Sequence, residues 1–351
     1  MSLVQISSAE AVPGLANFDA VIDARSPAEF AEDHLPGALN WPVLDDEQRR
    51  IVGTLYKQVS ALEARKVGAA MAARNIAGHV ERHAGALPRE WRPLVYCWRG
   101  GQRSGSLAWF LGQIGFRTSQ LAGGYKGFRA IVREQLTVLP ARQGYTVLCG
   151  RTGSGKTRLL QALAAEGAQV LDLEGLACHR GSILGAVPGQ PQPTQKRFDT
   201  ELWEKLQSFD PARPVFVESE SARIGALRVP EALLVRMREH GRCLRVVMED
   251  GARVRLLLQE YGFFAADPEV FCKLLDGLIE LRGHATVAHW QALARAGEWP
   301  VVFEQMMTQH YDPLYERSMQ RSYADLGSAE IVELADEGEA ALRGAARRLA
   351  A

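Results

Sequence analysis

Residues 150–157 read Gly-Arg-Thr-Gly-Ser-Gly-Lys-Thr. The pattern G-x-x-x-x-G-K-[ST] is met by Gly150, Gly155, Lys156 and Thr157, and it prescribes a chain path: a strand, a turn with inward N–H groups, then a helix. The flanks comply. Tyr145–Cys149 is an apolar strand candidate, and Lys156 to about Glu166 has helical character. Glycines let the backbone amides face a phosphate at a helix N-terminus, where the dipole favours negative charge. Gly150, Gly153, Ser154, Gly155, Lys156 and Thr157 are therefore read as a diphosphate grip. The Thr157 hydroxyl can ligate Mg²⁺ or a phosphate oxygen. Arg151 is either a further clamp residue or a solvated loop arginine.

Fifty-three residues before Gly150, Cys97 opens the run Cys-Trp-Arg-Gly-Gly-Gln-Arg-Ser. It follows the strand candidate Pro93–Cys97 and precedes helical spacing from Ser104 to Ile114. A thiol at such a turn meets helix N-terminal amides, and with Arg99 and Arg103 nearby its pKa is expected to fall, making it a nucleophile. Arg99, Gly100, Gly101 and Arg103 are read as its anion cradle. The alternative is a buried core cysteine at a strand end. The five cysteines form no CxxC pair, so neither a disulfide framework nor a zinc site is expected.

Around these motifs, short apolar runs alternate with helical segments, which points to α/β architecture with parallel sheets. Phe18–Asp23 is a further strand candidate in the first block. Gln169–Leu173, Val215–Glu218 and Leu244–Met248 are strand candidates in the second. Leu136–Gly144, with Pro140 and Gly144, reads as a linker. From Gly251 the pattern is mainly helical, with Asp267-Pro268 and Asp312-Pro313 as helix starts and Ile331–Leu334 as a late strand. The expected division is 1–138, 139–250 and 251–351. Net charge is zero, so bulk charge gives no hint of a nucleic-acid partner. Between Arg223 and Arg255, eight arginines against four acids make a modest basic stretch, read as a solvated face. No apolar run approaches the ~20 residues of a membrane span, and the N-terminus lacks signal-peptide character. A cytoplasmic location without membrane contact is expected.

The segment Asp23-Ala-Arg-Ser-Pro-Ala-Glu-Phe30, then His34-Leu-Pro-Gly-Ala38 and Asn40, resembles the N-terminal signature of rhodanese domains. Tyr96-Cys97 through Arg103-Ser104 resembles their active-site loop. Many rhodaneses place the arginine five residues after the cysteine; here it is six, which is similar to rhodanese-fold phosphatases and suggests a cavity for a phosphate-bearing substrate. His34 is read as structural. A rhodanese domain followed by a P-loop domain resembles the bacterial tRNA 2-selenouridine synthase family. Leu171-Asp-Leu-Glu-Gly-Leu-Ala-Cys-His-Arg-Gly-Ser182, Gln192-Pro-Thr-Gln-Lys196, Val217-Glu-Ser-Glu-Ser221 and Ile224-Gly225 extend that likeness over residues 20–225.

The resemblance implies a rhodanese-like domain, a P-loop NTPase-like domain and two activities on wobble 2-thiouridine of tRNA. The first is geranylation of the sulfur from geranyl diphosphate. The second is replacement of the geranylthio group by selenium from selenophosphate, with Cys97 as the soft nucleophile. Asp172, Glu174, His179, Arg180, Ser182 and Glu218 are candidate substrate contacts. Asp172 and Glu174 serve equally as proton acceptors, Mg²⁺ ligands or helix caps. No tightly bound cofactor is expected. The rival readings are a rhodanese-fold phosphatase or sulfurtransferase fused to a P-loop kinase, and a nucleotide-dependent binding module with an inert Cys97.

Overall fold

The computed structural model describes residues 3–350. They form two units: residues 1–135 with 193–204, and residues 136–192 with 205–351. The sequence suggested three blocks, but the contacts divide the chain in two. The reason is that the last strand and last helix complete the second sheet and its core, as described below.

The first unit is built on five parallel strands: β1 Val4–Ser7, β2 Ala20–Asp23, β3 Leu39–Asn40, β4 Pro93–Tyr96 and β5 Ser119–Ala122. Their order is β1-β5-β4-β2-β3. β4 is buried along its whole length, as expected for a central strand covered by helices on both faces. Ile22, Val95, Leu107, Leu111, Trp41 and Trp91 form the core on one side of the sheet.

The signature Asp23…Asn40 turns out to be a buried polar frame. Arg25 is fully buried, and its Nη2 donates to Asp23 Oδ2 at 2.6 Å and to the Asp33 carbonyl at 2.6 Å. Its guanidinium lies 3.9 Å from the Tyr125 ring centroid. Asn40 Nδ2 donates to the carbonyls of Asp23 and Arg25. A charge this deep is tolerable only when paired and hydrogen-bonded. His34 stacks on Phe30 with centroids 3.9 Å apart, Nδ1 against the Phe30 carbonyl, in the structural role its sequence context suggests.

Residues 193–204 join this unit through a second buried carboxylate. Tyr125 OH and Thr200 Oγ1 donate to Asp33 Oδ2 at 2.8 and 3.0 Å. Arg129 donates to Thr200 Oγ1 at 3.0 Å and to Asp199 at 2.8 Å. Burial pushes the Asp33 carboxyl above its ordinary pKa; these hydrogen bonds and Arg129 oppose that shift.

The second unit carries another five-stranded parallel sheet. Its strands are β6 Tyr145–Cys149, β7 Gln169–Leu171, β8 Val215–Glu218, β11 Arg242–Met248 and β12 Glu330–Leu334, with a short antiparallel hairpin of β9 Arg223–Ile224 and β10 Leu227–Arg228 beside it. The sheet order is β12-β11-β6-β8-β7. Leu159, Leu160 and Leu163 of the helix after the glycine loop pack with Val332, Leu334, Leu342 and Ala345. A separate helical cluster holds Phe271, Trp290, Val302, Phe303 and Met306.

Two expectations need correction, and a third gains detail: the linker candidate Leu136–Gly144 begins where the first unit ends, but its backbone is regular, with helix continuing to Val138 and a 3₁₀ turn over Leu139–Arg142. Proline is tolerated there because it sits in the first turn. Asp312 does not cap a free helix start, because helical backbone already precedes it; its carboxylate instead pairs with buried Arg253. The basic stretch is not simply a solvated face. Arg253 is buried, Arg242 pairs with Glu330, and Arg255 pairs with Glu337.

The Asp33 network makes a checkable claim. Thr200→Val keeps the side-chain volume but removes a donor from Asp33 and an acceptor from Arg129. We expect a loss of about 1–3 kcal/mol, read as a lower urea midpoint. Unchanged stability would mean that Thr200 does not help hold residues 193–204 to the first unit.

Candidate functional site

Two loops sit at the carboxyl ends of central strands, each in its own unit. In the first, β4 ends at Tyr96 and the chain turns through Cys97–Gly101 into the helix Gln102–Ile114. Ser104 Oγ donates to Cys97 Sγ at 3.1 Å. Gln120 Nε2 donates to the carbonyls of Gly100 at 2.8 Å and Gly101 at 3.1 Å, and to Ser104 Oγ at 2.9 Å. Carbonyls that would repel an anion are thereby drawn to the side-chain amide.

The loop is packed to the limit of its backbone. Gly124 has φ +55°, and a Cβ there would lie 2.2 Å from the Cys97 carbonyl. Gly100 has φ +68°, and its Cβ would lie 2.4 Å from the Leu121 carbonyl. Gly101 opens on free space.

Two features depart from the expected cradle. Cys97 is only 3% exposed and packs in the apolar core on one side of the sheet, as in the buried-cysteine alternative. Arg103 does not stand free: its guanidinium grips Glu29 with contacts of 2.5 and 3.2 Å. Glu29 also accepts the Ser26 N–H, and the two interactions hold its carboxyl below the ordinary range against the opposing effect of burial. Arg99 is exposed. Of the two arginines, it is the one with no ion pair among the described residues.

In the second unit, the glycine loop joins β6 to the helix Lys156–Ala165. Gly153 and Gly155 have φ of +76° and +83°, conformations glycine adopts without strain. Lys156 Nζ donates to the carbonyls of Gly150 at 2.7 Å and Arg151 at 3.2 Å. Tyr315 reaches the loop from the helix Asp312–Ser322: its hydroxyl accepts the Gly150 N–H, and Lys156 lies 5.6 Å from its ring. Arg151 pairs with Glu316 on the same helix. Arg253, 1% exposed, donates to Asp312, Asp250 and the Thr152 carbonyl, fixing the loop from behind.

Beside the loop lies a cleft of about 610 Å³. Its lining joins Gly153–Thr157 to Glu174, Arg180, Ser182, Glu218 and Glu220, with Leu256, Leu257, Tyr261, Leu314 and Met319 as an apolar wall. Sequence reasoning therefore named many of the polar residues that meet here. Glu218 ends β8 and is buried, 6% exposed. Arg180 is held by Glu260 and lies 5.1 Å from the Tyr261 ring. His179 Nδ1 accepts the Gly181 N–H, and burial lowers its pKa. Asp172 instead caps the short helix Leu173–Ala177, accepting the Gly175 N–H at 2.7 Å.

Glu220, Tyr315 and Arg253 are the residues sequence reasoning left out. Glu220 stood inside a quoted block, two positions beyond Glu218. That spacing along an extended chain was the available signal. Tyr315 had none, since nothing local links it to Gly150, 165 residues away.

Glu174, Glu218 and Glu220 share one positively charged neighbour, Lys156, and one further acid, Asp172. Burial, then the charges of Glu218 and Glu220, push Glu174 up to about 9. Burial, then Glu218, push Glu220 up to about 8. Burial likewise raises Glu218. Glu174 and Glu220 are therefore mostly protonated at neutral pH, and their ionised fraction is a correspondingly stronger base. Among the described residues, no group of three or more His, Cys, Asp or Glu side chains is arranged to hold a metal ion.

Comparison with known proteins agrees with both halves. Residues 8–131 match the family described as Rhodanese-like domain. Residues 143–271 match the tRNA 2-selenouridine synthase AAA domain. The chain is 36% identical to a tRNA 2-selenouridine synthase of Nitrosomonas europaea over 62% of its own length, and the match spans 57% of that relative. It is 30% identical to one from Alcanivorax borkumensis, covering 86% of this chain and 90% of the relative. It is 32% identical to one from Hydrogenovibrio crunogenus, covering 86% and 89%.

Gly124→Ala tests the cradle. The methyl group has no space against the Cys97 carbonyl and the backbone is left-handed. A cost of at least about 1–3 kcal/mol is expected, together with faster alkylation of Cys97 by iodoacetamide as the loop is displaced. Wild-type stability and an unchanged alkylation rate would contradict the packing described.

Proposed function

The chain belongs to the tRNA 2-selenouridine synthase family, and from that premise we propose that it modifies the wobble 2-thiouridine of tRNA in two stages, in the cytoplasm. The observation that carries this reading is the presence of a thiol loop and a phosphate loop with its own cleft in one chain.

The first stage is geranyl transfer. A thiocarbonyl sulfur leaves poorly until it is alkylated. The sulfur attacks C1 of geranyl diphosphate, an S–C bond forms, the C–O bond breaks and diphosphate departs. The glycine-loop amides, Ser154, Lys156 and Thr157 stabilise the charge that develops on the leaving group. Lys156 is already turned toward the loop, which supports this role. Leu256, Leu257, Leu314 and Met319 offer the apolar surface an isoprenoid chain needs.

The second stage exchanges chalcogens. Alkylation has made C2 electrophilic. A C2–Se bond forms at the expense of C2–S, geranyl thiol departs, and the P–Se bond of selenophosphate is cleaved by water to release phosphate. Cys97 is the soft nucleophile of this stage: its thiolate adds to C2 and expels geranyl thiol, and the selenium then displaces the Cys97 sulfur from C2 and regenerates the thiolate. Arg99 with the Gly100–Gly101 loop attracts the anionic donor. The pairing of Arg103 with Glu29 speaks against the phosphatase alternative, in which that arginine would grip the phosphate.

Incubation of 2-thiouridine-bearing tRNA with geranyl diphosphate, then selenophosphate, followed by nucleoside analysis, tests the reading. Cys97→Ala is expected to abolish selenium incorporation and leave geranyl transfer largely intact. Lys156→Ala is expected to slow geranyl transfer by about 10²–10³-fold, with selenation of pre-geranylated tRNA retained. If each folded variant lost both activities, separate sites would be wrong.

A further inference from the structure

Geranyl transfer has a proton balance that the phosphate grip leaves open. The ring of 2-thiouridine carries a proton on N3; the S-alkylated ring has a C2=N3 double bond and no such proton. As sulfur attacks, the C=S π pair becomes a sulfur lone pair and the N–H pair becomes the new π bond. A base must take the proton in the same cleft.

The cleft contains groups of that kind. Gly181, with φ +67°, brings the chain close against two carboxyls: a Cβ there would lie 2.8 Å from Glu174 Oε1 and 3.6 Å from Glu220 Oε2. The two acids thus flank one glycine. Both line the cleft that also holds the glycine loop. Among the side-chain polar atoms on this lining, Ser154 Oγ and Glu218 Oε1 are buried and lack a hydrogen-bond partner. Their residues are 2% and 6% exposed. Buried polar atoms are normally satisfied, so these two are free to meet a polar ligand in the cleft. The charged and titratable groups facing the two acids are Lys156, Asp172, Glu218, His179 and the Arg180–Glu260 pair, with Tyr261 beyond and Arg238 on the Glu220 carbonyl.

We propose that the Glu174–Glu220 pair is the proton acceptor of the alkylation stage, taking the N3 proton of the thiopyrimidine ring as its sulfur attacks the isoprenoid carbon. This rests on the geranyl-transfer reading above. The ionised form of the pair is the acceptor, and a carboxylate whose basicity has been raised by burial is matched to an imide-like N–H, which makes the transfer efficient. The same pair carries the proton to solvent after diphosphate and product leave, so no further reactant is needed.

The test uses the full-length protein and two anticodon stem-loop RNAs, one with 2-thiouridine and one with 5-fluoro-2-thiouridine, whose N3 is more acidic. Glu220→Gln and the double variant with Glu174→Gln are expected to lose about 10²–10⁴-fold in rate on the first RNA. They should bind geranyl diphosphate as the wild type does and recover most of the loss on the second RNA. Their residual rate should climb about tenfold per pH unit, because only ring ionisation then supplies the nucleophile. Glu220→Asp, which keeps a carboxylate, should retain most of the wild-type rate and a profile that levels off once the carboxyl pair is ionised. A loss equal on both RNAs, or Gln variants with the wild-type rate and profile, would overturn the proposal while leaving geranyl transfer standing. A wild-type protein that alkylates neither RNA would remove the functional reading itself, and this proposal with it.

Discussion

All strands of a parallel sheet end on the same edge, and that constraint organises this protein twice. Every strand must be followed by a crossover, so the loops at the carboxyl ends are where the backbone can turn its N–H groups outward. Cys97 follows β4, with neighbours on both sides in its sheet; Gly150 follows β6, equally flanked. Each helix after these loops begins beside the reactive group. The chemistry of both units therefore depends on where a buried apolar strand stops.

Holding such loops open requires polar groups deep in the fold. Arg25 in the first unit and Arg253 in the second are each at most 1% exposed, and each is matched to a carboxylate at 2.6 Å. Removing one member of such a pair is costly because a buried charge is left alone. Arg253 ties the Thr152 carbonyl to Asp312, so it couples the glycine loop to the helix that supplies Tyr315. The carboxyls opposite Lys156 are the contrasting case. They lack enough positive charge nearby, and the balance is met by protons, which suits them to acid–base work more than to stability.

Much of this was legible in the chain itself. The strands Tyr145–Cys149 and Val215–Glu218 appear where apolar runs end in turn signals, and the helix after the glycine loop spans Lys156–Ala165. The linker stands where the units divide, but its regular backbone was not legible, because Pro140 can occupy a first helical turn as readily as a loop. Asp312 was misread because a carboxylate before proline looks like a cap whether or not an arginine 59 residues earlier claims it.

The sequence alone determined the two reactive loops, since strand, glycine turn and helix start are set by neighbours a few residues apart. Tertiary structure decided which charges in them are available. Arg103 is taken by Glu29, 74 residues away, and Arg151 by Glu316, 165 residues away. Glu220 joins Glu174 only because β8 runs beside β7 and the chain beyond β7 folds back over the strand ends. Charge pairing depends on distance in space, and local sequence does not encode which remote side chain the fold will place within 3 Å.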